Sequence, residues 1–494
     1  MAVFYSRKSK LSPPVVRTFR VNAFGGYRSE LGENVLNLNK SKYCLNYKTR
    51  DGELVQTFGA RSPVLKFDTK HFYIPKFDWL VIGVYQYERS EGGVSDDRLI
   101  VYISDGRLYS LSVDKGITEP TLITQKLAKV YGAYSYRLDD SDVLIITTAD
   151  GFYILDDTEL TRVENAPDVV DMCIHAERAF ALTRSQPYKV WFSSNLDPSD
   201  WTISQDGGGY IEFSKDNGEL KKVVSFLGYV YIFREYGIER VTAYADQSQF
   251  ETRTVYACSD RIFPNTIAVC GDKIIFMSDT GLHYFDGVNE GKIDDVISRE
   301  DFLNRGDKAV ATYYKGNYLL SVYVERFDRD EYKNSTPYVY QNNAIICLSL
   351  DNGGVSVMSE YDVSGFCVYK SKKGSNLIMT LYHEAQTEYL RMMILDEEKC
   401  GRIGSVTYYN WETTKSDIGY PDKRKILRDI TLDVKGTTFV TVLLDDKELK
   451  LGRIKDTQKT FRIMRPFKRF GFRLNGYGED YQRISPPVVR IDMR

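Results

Sequence analysis

The sequence predicts an all-β protein, in which a six- or seven-bladed β-propeller is followed by a β-sandwich-like platform domain. Three observations predict this fold. One hairpin pattern recurs along most of the 494 residues, and the pattern stops near the C-terminal end. The chain also holds 37 Tyr and 25 Phe, which suit pleated, half-buried surfaces. With 43% hydrophobic and 27% charged residues, the composition is that of a soluble globular protein.

The recurring unit is an apolar strand, a turn containing Asp or Gly, and a second apolar strand rich in Tyr, which together indicate a β-hairpin. The clearest copies are DDRLIVYISDGRLYSLS from Asp96, SDVLIITTADGFYILDD from Ser141 and GDKIIFMSDTGLHYFDG from Gly271. Weaker copies begin at Glu177, Leu227, Gly316 and Ser375. The spacing of about 36 to 58 residues is typical of four-stranded propeller blades. Seven units fit between about residues 66 and 400, and six blades stay an alternative.

Two further regions flank the repeats. Residues 1–65 look extended and are expected to join the platform, and residues 401–494 are expected to form a separate β-domain, sandwich-like or barrel-like. From Pro421 to the end, 18 Lys and Arg face 10 Asp and Glu, whereas the net charge of the whole chain is −2. This basic end is either a solvated surface or a docking face for an acidic partner.

The hexapeptide SPPVVR occurs twice, as Ser12–Arg17 and as Ser485–Arg490. In both copies Pro-Pro forms a stiff lead-in, after which Val-Val-Arg enters a strand, because proline is tolerated at a strand start or edge. We therefore expect both ends to join one β-layer or to dock into equivalent positions on neighbouring copies. The alternative is a compositional accident. The candidate assembly residues are Val15, Val16, Arg17, Val488, Val489 and Arg490.

No pattern of a catalytic or metal site is present. The four histidines (His71, His175, His283 and His383) fall in separate units without metal-ligand spacing. The seven scattered cysteines form no CxxC pair and are expected to be mostly buried thiols. The N-terminus lacks the apolar region of a signal peptide, and no apolar run is long enough for a membrane span, so we expect a soluble protein. We assign no catalytic residue, cofactor or metal.

Paired carboxylates could serve a glycosidase. The candidates are Asp139-Asp140, Asp156-Asp157, Asp294-Asp295, and Asp328 with Asp330. All stand where turn-forming residues belong, and Asp at a turn bonds its own backbone, so the turn interpretation is favoured.

The stretch VWFSSNLDPSDWTIS, from Val190 to Ser204, is more specific. It predicts a strand, then a structural turn built on Asn195, Asp197 and Pro198, after which Trp201 packs back against the strand. An Asp-box turn of sialidases would need glycine after the aspartate, and this turn has proline there.

The chain resembles the β-propeller tail proteins of tailed bacteriophages, the nozzle or tail-tube family that includes head-completion or stabilisation proteins. The resemblance rests on four segments in order along most of the chain: FGGYRSELGENVLNLNKSKYCLNYKTRDGELVQTFGA, VWFSSNLDPSDW, FREYGIERVTA and FKRFGFRLNGYG. It implies a non-enzymatic virion protein, made in the host cytoplasm, that forms a ring of six copies near the portal-distal end of the tail. Its implied partners are adjacent tail or portal/adaptor proteins and double-stranded DNA that passes transiently and non-specifically through the lumen.

Two other classes of function are also compatible with the sequence. A propeller lectin or glycosidase acting on host glycans requires acidic and aromatic residues that converge on one opening. An intracellular scaffold requires a stable monomer with apolar patches on its rim. The tail hypothesis differs from both because it predicts self-association through the two chain ends.

Overall fold

The computed structural model contains two compact units. The platform comprises residues 1–59, 354–357 and 397–494, and the propeller comprises residues 60–353 and 358–396. The structure describes residues 15–21, 23–28, 38–61, 81–91, 94–113, 120–124, 126–205, 207–244, 246–294, 296–297, 299–302, 305–327, 340–359, 361–371, 374–382, 392–396, 407–478 and 481–493. Ser12, Pro13 and Pro14 of the first hexapeptide lie outside these ranges.

The N-terminal segment supplies five short strands. They are β1 (Val15–Arg20), β2 (Ser41–Leu45), β3 (Tyr47–Arg50), β4 (Glu53–Gln56) and β5 (Gly59–Arg61). The first four belong to the platform sheet, whereas β5 joins a propeller blade.

The first four blades are antiparallel sheets of four strands each. Blade 1 has β6 (Val81–Tyr87), β9 (Arg98–Ile103), β10 (Leu108–Ser112) and β11 (Thr121–Thr124), with the small hairpin β7 (Ser90–Glu91) and β8 (Val94–Ser95) inserted. Blade 2 has β12 (Val130–Leu138), β13 (Ser141–Thr148), β14 (Phe152–Asp156) and β15 (Glu159–Val163). Blade 3 has β16 (Val169–His175), β17 (Arg178–Thr183), β18 (Lys189–Phe192) and β19 (Gly209–Glu212). Blade 4 has β20 (Leu220–Phe226), β21 (Tyr229–Arg234), β22 (Gly237–Val241) and β23 (Thr252–Ala257).

Three further blades complete the ring, so the blade number is seven. Blade 5 has β24 (Ile262–Cys270), β25 (Lys273–Ser278), β26 (Gly281–Phe285) and β27 (Glu290–Ile293). Blade 6 has β28 (Val310–Tyr314), β29 (Asn317–Val322), β30 (Ala344–Ser349) and β31 (Val355–Ser359). Blade 7 has β32 (Val363–Ser371), β33 (Gly374–Leu381) and β34 (Met392–Asp396), and its fourth strand is β5. The described helices are α1 (Arg299–Phe302) and the 3₁₀ turns Gln247–Gln249, Gly306–Lys308 and Glu325–Phe327.

All seven hairpins predicted from the sequence are confirmed, and each forms the second and third strands of a blade. In blade 2, for example, Ile145 pairs with Ile154 across the predicted hairpin. The core lies between neighbouring blades, as where Leu108 of blade 1 packs with Leu144 of blade 2. Blades 7 and 1 share such a cluster as well, which closes the ring.

A bulge near the start of the first strand recurs in blades 1, 2, 3, 4 and 7. In blades 1 and 2 this place is glycine, because a Cβ at Gly83 or Gly132 would approach a tyrosine hydroxyl to 2.7 Å. In blade 3 Asp171 takes the place, and its carboxylate accepts a hydrogen bond of 2.8 Å from the backbone N–H of Val223 in blade 4. The bulge thus positions groups that join one blade to the next.

The C-terminal region supplies the remaining platform strands. They are β35 (Thr407–Thr413), β36 (Lys425–Leu444), β37 (Lys447–Phe467), β38 (Phe470–Gly478), β39 (Arg483–Ile484) and β40 (Val488–Met493). The platform sheet runs in the order β2-β35-β38-β36-β39-β4-β3 and is a nearly closed, barrel-like sheet. The long strand β36 pairs with β37 along one edge, and with β40, β39 and β38 in turn along the other.

Candidate assembly surface

The two copies of Val-Val-Arg lie on adjacent strands of the platform sheet. β1 pairs antiparallel with β40, so that Val15 faces Met493 and Arg20 faces Val488. The prediction that both chain ends join one β-layer is therefore confirmed. Val15 and Val488 hold the same position in the two copies, and each pairs with the residue five positions after the other. In this register equivalent residues of the two copies, such as Val16 and Val489, point to opposite faces of the sheet.

The two copies have opposite environments. β40 lies between β1 and β36, and Val489 is 1% exposed. β1 is the outer strand, on which Val15 is 58% and Val16 is 47% exposed. Within the described residues β1 has no second strand partner. Its outer edge therefore offers unpaired backbone groups beside apolar side chains, a combination that favours pairing with another chain.

Charged hydrogen bonds hold β40 and the residues before it. Nε of Arg490 donates to Oδ1 of Asp429 at 2.7 Å, and the carboxylate raises the pKa of this arginine. Just before β40, the Arg483 guanidinium and the Ser485 hydroxyl both donate to Glu53 of β4, the latter at 2.8 Å. The Arg483 side chain lowers the pKa of Glu53.

β1 is held more lightly. Arg17 donates to the Tyr420 hydroxyl at 3.3 Å and lies over its ring. The loop that carries Tyr420 is fixed by Lys425, which is 1% exposed and whose Nζ donates to the backbone carbonyls of Asp417 at 2.9 Å and Tyr420 at 2.6 Å. Burial lowers the pKa of Lys425. β1 thus touches an ordered loop but buries little of its own surface.

The opposite free edge of this part of the sheet is β37, which spans 21 residues and pairs with β36 alone among the described strands. β36 is antiparallel to both β37 and β40, and β40 is antiparallel to β1. β1 and β37 therefore run in opposite directions. A second sheet placed beside the first in the same orientation would bring β37 against β1 in the antiparallel sense.

One face of the β36–β37 hairpin is strongly basic. We define the basic face as Lys450, Arg453, Lys455 and Arg462, all exposed on β37. They lie opposite alternate residues of β36, among them Phe439, which faces Arg453 and is 44% exposed. None of the four cations has an ion pair within the part of the chain that the structure describes. The basic face is therefore a cationic surface with an exposed aromatic ring beside Arg453 and one buried carboxylate, that of Asp429, opposite Arg462.

The two units carry opposite charge. The platform holds 31 Lys and Arg against 18 Asp and Glu, and the propeller holds 35 against 50. The small net charge of the chain thus hides a positive unit and a negative unit, each with a field of its own.

A polar cleft of about 360 Å³ lies where β36 bulges beside β39. It is lined by Asp433, Val434, Lys435, Asp456, Arg483 and Ser485. Its charged side chains are of both signs, and Asp456 accepts a hydrogen bond from the backbone N–H of Gly436 at 2.8 Å. The bond to Asp456 stabilises the bulge, and the Ser485 hydroxyl donates to Glu53, which Arg483 also binds, so these side chains are occupied in holding the strands.

The turn predicted in blade 3 is held by its aspartates. Oδ1 of Asp197 accepts from the backbone N–H of Ser199 at 2.8 Å, and Asp200 accepts from the Ser194 hydroxyl at 2.6 Å. Pro198 lies between these bonds and Asn195 precedes them. Trp201 is 2% exposed and packs edge-on against Phe152 of blade 2, with ring centroids 5.6 Å apart.

Sequence reasoning missed Arg178, which is 3% exposed behind this turn. Its Nη1 donates to the carbonyls of Ser193 at 3.0 Å and Gly207 at 3.1 Å, and its guanidinium lies over Phe192 and Phe250. Burial lowers the pKa of Arg178. An isolated arginine before an apolar strand gives no sequence signal for such a role.

A Ser–His–acid array occurs in blade 5 but is structural. Nε2 of His283 lies 2.9 Å from the Ser278 hydroxyl, and Nδ1 contacts Glu290. Ser278 is 2% exposed, and its hydroxyl accepts a further bond from the backbone N–H of Thr280 at 3.2 Å. A substrate cannot reach this hydroxyl, so the array fastens the turn. His175 contacts Ser225, and burial lowers its pKa.

The candidate carboxylates lie in turns. Asp139 and Asp157 have φ of 52° and 51°, values that suit Asp in tight turns, and Asp157 forms ion pairs with Arg89 and Arg98. Asp140 lies in the same turn as Asp139, Asp156 is the last residue of β14 beside Asp157, and Asp294 is exposed. His71, His383, Asp295, Asp328 and Asp330 lie outside the described residues.

Other candidate chemistry is absent from the part of the chain that the structure describes. No group of three or more His, Cys, Asp or Glu side chains there could hold a metal ion. The six described cysteines are free and at least half-buried, and burial raises the pKa of Cys44 to about 12. Of the described helices, none has the length and apolar character needed to span a membrane.

No family model and no curated protein matches this chain. Among solved structures, BBS1N in complex with ARL6DN is similar at 8% identity and a TM-score of 0.42, covering 68% of this chain and 94% of that chain. The extracellular domain of a putative hybrid two-component system from B. thetaiotaomicron is similar at 10% identity and a TM-score of 0.40, covering 76% of this chain. The present chain spans 44% of that domain. Such distant likeness carries no argument about function.

Proposed function

We propose that this chain is a structural component of a phage-type virion tail, which assembles into a ring through the platform edge formed by its two ends. The observation that carries the proposal is the pairing of β1 with β40. It places β1 at the edge of a sheet, with its first residues Val15 and Val16 more than 45% exposed. An edge of this kind is a liability for a lone protein and a template for assembly.

The directions of the free edges support a ring. β1 and β37 are antiparallel, so copies placed side by side in one orientation continue the antiparallel sheet from each copy to the next. Such a contact is heterologous, because β1 of one copy meets β37 of another. Heterologous contacts close into rings when the rotation between copies permits. A closed ring also removes the two free edges.

The propeller fits the role of a rigid body in such a ring. Its blades are joined by apolar clusters and by bonds such as that from the Val223 N–H to Asp171. In the tail, double-stranded DNA passes transiently and non-specifically through the lumen, and adjacent tail or portal/adaptor proteins bind the ring from outside. The sequence resemblance to nozzle and tail-tube proteins supports this placement.

The glycan-binding alternative has less support. It needs carboxylates and aromatic rings that converge on one opening, whereas the candidates Asp139 and Asp157 form hairpin turns of blade 2. The scaffold alternative needs a stable monomer. Exposed apolar and acidic side chains do gather at one end of the propeller, so the mass in solution decides between these alternatives and self-assembly.

Electron microscopy and mass measurement of the purified chain test the proposal. A closed ring of six copies of 56.8 kDa, about 341 kDa, with a central channel is the expected result. The same ring should form around double-stranded DNA without a sequence preference. A homogeneous monomer at all concentrations, including in the presence of other tail components, would contradict the proposal.

A further inference from the structure

One end of the propeller carries exposed apolar side chains. In blades 2 to 6 the connection between the first and second strands and the connection between the third and fourth strands lie at the same end, because neighbouring strands are antiparallel, and the first connection of blade 1 lies there too. We call this the A–B end. It carries these large exposed hydrophobic residues: Val94, Leu196, Ile203, Leu227, Tyr244, Val288 and Leu350. The turns of the opposite end contribute Tyr236 among the described residues.

Two of these residues have an unfavourable backbone. Leu196 and Leu227 have φ of 63° and 46°, in the left-handed region that glycine and asparagine occupy readily and leucine does not. They are 56% and 59% exposed, so packing within the chain does not offset the strain. The positive φ belongs to two tight turns, Asn195-Leu196 inside the Ser194–Asp197 bridge and Leu227-Gly228 between β20 and β21, so the unusual feature is an exposed leucine where asparagine or glycine would serve. A leucine in each turn therefore points to an apolar contact outside the chain.

The A–B end is also acidic. Its turns hold exposed carboxylates that form no ion pair within the described part of the chain: Asp139, Asp140, Asp156, Glu159, Glu177, Glu251, Asp272 and Asp351. A partner for this end must supply cations and at least one apolar group.

The basic face of the platform has the complementary chemistry. Lys450, Arg453, Lys455 and Arg462 present free positive charge, and Phe439 presents an exposed ring beside Arg453. A duplex phosphate backbone would neutralise the cations but leave the ring without an apolar partner. A surface of leucine side chains among carboxylates would supply partners for both the cations and the ring.

We infer that the A–B end of the propeller binds the basic face of the platform in a second copy of the chain. The partner is thus this chain itself, in a heterologous contact of acid and leucine against base and phenylalanine. The inference deepens the proposed ring, on which it rests, by adding a second contact. This second contact also favours the contact of β1 with β37. Arg17 and Arg20 of β1 would repel Arg462 and Arg465 of β37, and carboxylates of the A–B end would reduce this repulsion by approaching β37.

Paired variants test the inference in full-length protein that carries Val16→Asp, which blocks the β1 contact. Leu196→Asn with Leu227→Asn alters the A–B end, and Lys450→Glu with Arg453→Glu and Lys455→Glu alters the basic face. We expect each set to weaken self-association at least tenfold, measured by sedimentation equilibrium. The asparagine pair should leave the unfolding midpoint unchanged or higher, because asparagine relieves the strain. Leu122→Asn, on the outer strand of blade 1, is the control and should change neither quantity.

Mixing the protein altered at the A–B end with the protein altered on the basic face tests whether these two surfaces bind each other. One chain then keeps an intact A–B end and the other an intact basic face, so the mixture should form a heterodimer although neither chain associates alone. The heterodimer should weaken about tenfold between 0.05 and 0.3 M salt. A mixture that stays monomeric overturns the inference, and so does a basic face that binds duplex DNA but no second copy.

The outcomes separate this inference from the proposed function. If Val16→Asp abolishes rings while the asparagine pair changes nothing, the inference fails and the ring stands. If the mixed variants pair while the wild-type chain forms no closed ring, the contact stands and the proposed tail function fails.

Discussion

Val16 and Val489 are the same residue of the same hexapeptide, yet one is 47% exposed and the other 1% exposed. Two differences account for this. β40 has a strand on both sides whereas β1 has one on a single side, and Val489 points to the face of the buried Ile491 whereas Val16 points to the face of the exposed Arg490. Local sequence therefore sets the strand and its apolar character, and the position in the sheet decides whether that character stabilises the fold or faces outwards. The buried copy holds the platform together, and the exposed copy is available for assembly.

The largest effect is expected from a charge at this position. Val489→Asp buries a carboxylate on the core-facing side of β40, where Val489 is 1% exposed, and should cost the platform about 3 kcal/mol or more of its free energy of unfolding. Val16→Asp, its matched control, should change that free energy by no more than about 0.5 kcal/mol. Denaturant unfolding with hydrogen exchange on β36 measures both. Equal losses in the two variants would show that β1 is as buried as β40.

A smaller effect is expected at the arginine that ends each copy of the hexapeptide. Arg490→Ala removes the hydrogen bond to Asp429, which is 6% exposed and would lose its cation. Arg17→Ala removes a contact with Tyr420 at the exposed edge. Thermal unfolding should show a clear loss of stability for Arg490→Ala and a slight one for Arg17→Ala. The reverse order would contradict the assignment of β40 as the structural copy.

The smallest effect concerns pH. Arg483 lowers the pKa of Glu53 in the folded state below 4.5, its ordinary value. A carboxyl group with a lowered folded-state pKa contributes stability above its unfolded pKa and loses it as the pH falls through the folded value. The join between β4 and β39 should therefore weaken below about pH 4.5, as measured by hydrogen exchange on β4. Glu53→Gln should flatten this dependence, whereas Asp51→Asn, at an exposed neighbouring turn, should not.

The hairpins were predictable because Asp-Gly turns and alternating strands are local signals. The closing strand β5 was not, because a three-residue strand carries little pattern and its pairing with β34 spans most of the chain. The repeated hexapeptide predicted one layer, but the burial of Val489 and exposure of Val15 depend on sheet order. The left-handed backbone of Leu196 and Leu227 was also hidden, because leucine gives no turn signal.

The most direct test is the mass of full-length Val16→Asp in solution beside that of the wild-type chain, at equal concentration by sedimentation velocity. We expect closed rings for the wild type, and for Val16→Asp a folded protein that no longer forms rings. Identical masses for the two proteins would contradict the claim that the exposed end strand is the assembly edge.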